Sequence, residues 1–135
     1  MKDTLAPGLA VTRTVTVDKA RTIDFMGEAL RVYATPELVR DIEQTCRDFL
    51  LEHLDEGEDT VGTRFAIDHT GATLVGMEVT ISATVSAVDG RGVSFEVTAS
   101  DTVEPVAKGT HNRFVVDIAK TGERLAAKAA KAAGG

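Results

Sequence analysis

One stretch of this chain carries a helical apolar period, and nearly every other patterned stretch alternates. From Thr35 to His53, at about 100° per residue, Leu38, Val39, Ile42, Cys46, Phe49, Leu50 and His53 fall within an arc of roughly 120°. That is the stripe of a helix packed on a core. Thr35 is a favourable N-cap, and Pro36 suits the first helical position, where its missing N–H costs nothing. Glu43 projects at the edge of the stripe, on the ridge of Val39, Cys46 and Leu50, between core and solvent.

The alternating stretches read as strands. Leu9, Val11, Val15 and Val17 share one face of the first, broken at Arg13; Met77, Val79, Ile81, Ala83, Val85 and Ala87 share one face of the clearest. Asp89-Gly90-Arg91-Gly92 signals a hairpin that returns the chain through Val93, Phe95, Val97 and Ala99. Residues 60–69 and 106–118 complete the set. Residues 18–34 have no settled period and read as loop with a helical turn, a candidate flap. The tail, 121–135, is Ala/Lys-rich and reads as a docked helix or a frayed end.

A strand, one long helix and then four strands with short connections imply an α+β fold. The helix must lie against one face of an antiparallel five-stranded sheet, since nothing else is large enough to cover it. One helix leaves part of such a sheet uncovered, which favours a homodimer, with a tetramer as the next assembly. At 135 residues the chain reads as a single domain over 1–135.

The balance of charge narrows the partners. A formal net charge of -6, with no basic run, argues against nucleic acid. No apolar stretch reaches membrane-spanning or signal-peptide length, so no membrane role and a cytoplasmic setting are expected. The lone Cys46 lies on the apolar stripe and reads as an inert core thiol.

Three polar residues have chemistry to offer. Thr35 opens the helix, Glu43 lies two turns along it, and His69 ends the strand after Gly62. Taken singly, each also has an ordinary use, as a cap, a solvated carboxylate and a surface imidazole.

Three motifs carry a resemblance. They are Ala34-Thr35-Pro36-Glu37-Leu38-Val39 running on to Ile42-Glu43; Val61-Gly62-Thr63 running on to His69-Thr70 and Val75-Gly76-Met77-Glu78-Val79; and Gly109-Thr110-His111-Asn112-Arg113. With their intervals, across roughly residues 9–118, they resemble the hotdog-fold acyl-CoA thioesterases, most closely the fluoroacetyl-CoA thioesterase-like group. The resemblance implies a sheet wrapped around one central helix and hydrolysis of a small or medium acyl-CoA to free acid and CoA. It implies no cofactor beyond the CoA of the substrate, and no metal.

By the same resemblance, Thr35 supplies a hydroxyl beside the thioester, and Glu43 attacks the carbonyl or activates water. His69 completes the set, the Gly62 N–H holds the developing oxyanion, and Arg113 meets substrate or a CoA phosphate. Hydrolysis needs such a base or nucleophile, an oxyanion donor and a proton for the leaving thiolate. An alternative is a non-catalytic acyl-CoA or acyl-carrier binding module on the same fold; hydration of an enoyl thioester is a third reading. The fluoroacetyl-specific group has an apolar lid with aromatic gates before its threonine. Here that stretch reads Met26-Gly27-Glu28-Ala29-Leu30, with Phe25 the only nearby phenylalanine. Fluoroacetate specificity is therefore not carried over.

Overall fold

A computed structural model describes residues 1–134. The chain runs through β1 (Ala10–Thr16), two 3₁₀ turns alternating with the two-residue strands β2 (Thr22–Ile23) and β3 (Val32–Tyr33), then α1 (Thr35–Leu51). The strands β4 (Glu58–His69), β5 (Glu78–Asp89), β6 (Gly92–Asp101) and β7 (Pro105–Asp117) follow, and α2 (Ile118–Gly134) ends it. Five strands form one antiparallel sheet in the order β1-β5-β6-β7-β4, and β2 pairs with β3 alone. The two strands of this sheet that flank α1 in sequence, β1 and β4, are thus its two edges. To connect them, α1 crosses the sheet's inner face, which is the central-helix arrangement expected.

The core is that crossing. Leu38, Ile42, Cys46, Phe49 and Leu50 of α1 pack into a cluster with Val79, Ile81, Ala83 and Val85 of β5, Val93, Phe95 and Val97 of β6, and Val106 and Val115 of β7. Full burial of each large aliphatic side chain contributes about 1.5–3 kcal/mol. Cys46 is buried, and desolvation pushes its thiol up to about 12, which removes the thiolate at neutral pH.

Several local expectations are corrected. Thr35 does not cap α1: Ala34 is the N-cap, its carbonyl accepting from Leu38 N–H at 3.0 Å, and no side chain caps the end. The helix ends at Leu51, two residues before His53. Val39 is only partly buried, while Asp41 and Thr45 are buried in its stead. On β5 a bulge between Val85 and Ala87 exposes Ala87 and turns Val88 toward the core, because one inserted residue reverses a period-two pattern. Arg13, the break in β1, is on the inward-facing set and reaches Asp48 of α1 at 2.7 Å. The tail is helical, with no residue of α2 buried.

Residues 18–34 are tied down rather than loose. Asp41 of α1, its side chain largely buried, accepts from the Tyr33 hydroxyl and from Arg21 Nε at 3.0 Å. Arg21 also reaches Asp18 at 2.7 Å, and Tyr33 N–H donates to the Thr73 carbonyl at 2.9 Å. Burial, then the Asp41 carboxylate, raises the Tyr33 pKa and keeps the phenol protonated. No described helix is long and apolar enough to cross a membrane.

Candidate active site

The start of α1 lies beside the end of β4. Because Thr35 is not engaged in capping, its hydroxyl is free to reach across, and Thr35 Oγ1 lies 2.8 Å from His69 Nδ1. Burial lowers the pKa of His69, so the imidazole is neutral near pH 7. Its Nε2 is buried with no hydrogen-bond partner, alone in this among the described side chains. The His69 and Tyr33 rings lie nearly perpendicular, with centroids 6.3 Å apart. The pair opens into a cavity of about 450 Å³ walled by Ile23, Phe25, Val32, Tyr33, Ala34, Pro36 and Ala72.

Glu43 is elsewhere on the same helix. Eight residues from Thr35 place it about 12 Å further along and about 80° around the axis. It makes no hydrogen bond to Thr35 or His69. Its Oε2 lies 3.5 Å from Nη1 of Arg113, and its groove is lined by Pro36, Val39, Arg40, Gln44, Arg47 and Arg113. Pro36 lines both this groove and the Thr35–His69 cavity. The expected set of three is therefore one bonded pair and one separate carboxylate on adjoining surfaces.

Gly62 belongs with Glu43. A Cβ on Gly62 would lie 3.2 Å from Glu43 Oε2, 3.3 Å from His111 Cε1 and 3.5 Å from Arg113 Nη1, so the bare backbone is what gives the carboxylate room. The β4–β7 register shifts between Gly62 and Arg64, a bulge of the kind found at sites that re-aim the backbone.

Arg113 is only 4% exposed and so is no surface ion-pair residue. Its Nε donates to Thr60 Oγ1 at 2.8 Å and its Nη2 to the Thr60 carbonyl at 2.9 Å, while Nη1 is 3.2 Å from His111 Nε2. Desolvation lowers its pKa, opposed by the Glu43 carboxylate. A buried cation persists only when its donors are satisfied, as these are. Arg47, on the rim, is held by Asp59 in a two-pronged contact at 2.8 and 3.0 Å.

Sequence reasoning assigned no role to Thr60, His111, Asp41 or Tyr33. A signal for His111 and Arg113 existed: with Val115 they occupy alternate positions of β7, so two polar side chains share the face of a core valine. Asp41 follows Leu38 by three and precedes Thr45 by four, so it shares their side of α1. No group of three or more His, Cys, Asp and Glu side chains is placed to hold a metal among the described residues.

Comparison with known proteins bears on the chemistry. The family model for fluoroacetyl-CoA-specific thioesterases matches residues 17–119. The fluoroacetyl-CoA thioesterase of Streptantibioticus cattleyicolor is 31% identical over 135 residues, covering 95% of this chain and 97% of that protein. A solved structure of a phenylalanine-to-alanine variant of the fluoroacetyl-CoA-specific thioesterase is similar with a TM-score of 0.86 at 31% identity, over 94% of this chain and 99% of that one. A thioesterase superfamily member from Thermus thermophilus has a TM-score of 0.89 at 23% identity, over 98% and 99% of the two chains, a likeness of fold.

Proposed function

This chain belongs to the fluoroacetyl-CoA-specific thioesterase family, and from that premise we propose that it hydrolyses a small or medium acyl-CoA to free acid and CoA through Thr35, Glu43 and His69. The observation that carries the reading is the half-buried Glu43 carboxylate set against the bare backbone of Gly62 and backed by Arg113. A thioester carbonyl placed there meets a nucleophile or general base, and the Gly62 N–H is the donor proposed for its oxygen. Arg113 serves through Glu43: its buried guanidinium fixes the carboxylate.

The Thr35–His69 pair supplies the second polar station. A neutral imidazole can take up the proton released by the attacking water and return it, as imidazolium, to the leaving thiolate. The adjoining cavity is apolar and open, with Phe25 84% exposed rather than folded over it, which suits an acyl group chosen by size more than by fluorine.

The proposed assembly is a cytoplasmic homodimer. β4, at an edge of the sheet, is twelve residues long, and Val61 and its β7 partner Phe114 are both exposed there. A long edge strand of this kind leaves a row of backbone N–H and C=O groups open to pairing with a second copy. Light scattering of purified protein at dimer mass supports it, and a monomer at all concentrations refutes it.

A panel of acyl-CoAs assayed for free thiol tests the activity. Turnover on short and medium chains that collapses in Glu43→Ala is the expected result. No turnover above background, or full turnover in Glu43→Ala, overturns the proposal. Tight acyl-CoA binding without product in the wild type would return the chain to the binding-module reading.

A further inference from the structure

We propose that His111 is a positioning residue for Glu43: with Thr60 it fixes the Arg113 guanidinium against that carboxylate, and it does so only while its imidazole is neutral. The inference rests on the reading that Glu43 acts at the thioester.

The geometry assigns the protons. His111 is buried, and its Nδ1 lies 2.8 Å from the Arg64 carbonyl oxygen on β4. A carbonyl oxygen only accepts, so Nδ1 carries the hydrogen, and in the neutral ring Nε2 is then an acceptor. Nε2 is 3.2 Å from Arg113 Nη1, which donates to it. Thr60 takes Nε and Nη2 of the same guanidinium. The planar fork is thus held at three nitrogens, and the held Nη1 is the one that faces Glu43. The ring is packed on Phe65, with centroids 4.8 Å apart, and cannot turn away without leaving the Arg64 carbonyl.

A second proton on His111 would turn Nε2 into a donor facing another donor, and set two cations 3.2 Å apart. The charged and titratable groups around the ring are Arg113 on its own strand, Glu43 with Cys46 and Arg47 on α1, and Asp59 paired to Arg47 on β4; the facing position on β6 is Phe95. Burial and the Arg113 cation oppose protonation, whereas the Arg64 carbonyl and Glu43 favour it. Once His111 is protonated, Arg113 leaves its place and Glu43 loses its orientation.

The test pairs spectroscopy with kinetics. Nitrogen-15 NMR of the wild-type protein is expected to show His111 as the Nδ1–H tautomer, titrating below a free histidine. His111→Leu is expected to lower kcat by about 10- to 100-fold, the scale of a small misplacement, with KM little changed. His111→Gln, which keeps an acceptor and cannot titrate, is expected to recover most of that loss and to lose the part of the acid limb that follows the His111 titration. An Nε2–H tautomer, a wild-type kcat in His111→Leu, or an unchanged acid limb in His111→Gln would overturn the proposal. Where His111→Leu does not fold, the tautomer and the His111→Gln profile decide. Full turnover in Glu43→Gln is a separate failure: it overturns the underlying reading of Glu43 and, with it, the catalytic value of the positioning.

Discussion

Thr35 Oγ1 and His69 Nδ1 lie 2.8 Å apart across 34 residues of sequence, joining the first turn of the central helix to the last residue of an edge strand. The contact exists because Ala34, not Thr35, occupies the N-cap position. A hydroxyl committed to capping would bond within its own helix; this one is released to the site. Thr35→Ala is therefore expected to cost less than about 0.5 kcal/mol, below the ~1 kcal/mol of a lost cap. Its kcat is expected to fall by at least about 10-fold, and Thr35→Ser to restore much of it. Urea unfolding beside the thiol-release assay separates the two effects.

Glu43→Ala is expected to lower kcat by about 10²- to 10⁴-fold, the range of a lost base or nucleophile. It also leaves the buried Arg113 without its carboxylate. Glu43 is itself 42% exposed and Arg113 keeps its bonds to Thr60 and His111, so the stability loss is expected at about 1–2 kcal/mol. Chemical denaturation of the variant checks that figure.

Two glycine substitutions should part activity from stability. In Gly62→Ala the new methyl meets side-chain rather than backbone atoms, of Glu43, His111 and Arg113 at 3.2–3.5 Å, which need give only a few tenths of an ångström, so a folded protein with a disturbed site is expected. In Gly109→Ala the methyl would sit 2.0 Å from the Ala66 carbonyl oxygen, where β7 and β4 meet backbone to backbone. The sheet must part there, and a loss above about 3 kcal/mol is expected. Thermal melts and turnover measured on both variants decide the contrast.

Asp41→Ala removes the carboxylate that holds both Tyr33 and Arg21. The buried Tyr33 hydroxyl is left unpaired, at a cost of about 1–3 kcal/mol. Amide exchange is expected to quicken across residues 18–34 before it quickens in β5 or β6. Equal quickening everywhere would show that Asp41 secures the whole fold instead of that segment.

Acid should weaken the fold through two histidines. Burial depresses the pKa of both His69 and His111 from the ordinary 6.5. Below pH 6.5 the unfolded chain takes up protons that the folded chain refuses, so stability falls as pH drops toward the folded-state values. Above pH 6.5 both states are neutral at these sites and the effect is gone. Melting temperatures between pH 8 and 5 are expected to show that fall, and His111→Gln to make it shallower.

Much of the fold was legible because its signals are local. The period of Leu38, Ile42, Cys46, Phe49 and Leu50 requires only that a helix have one apolar side, and the alternation of Val79, Ile81, Ala83 and Val85 only that a strand have two faces. Where a local irregularity intervened, as at the bulge beside Ala87, the period misled from that residue onward.

The sequence by itself determined one amphipathic helix among alternating strands, with motifs at the intervals of a thioesterase family. Tertiary structure alone decided that β1 and β4 are the two edges, so that α1 must cross between them. It also decided that Thr35 meets His69 while Glu43 goes to Gly62 and Arg113, and that Thr60, His111 and Asp41 are drawn inside. The physical reason is the same in each case. A period is set by bonds between near neighbours, whereas the partner of a buried polar group is set by which distant strand lies opposite, and only the folded register fixes that.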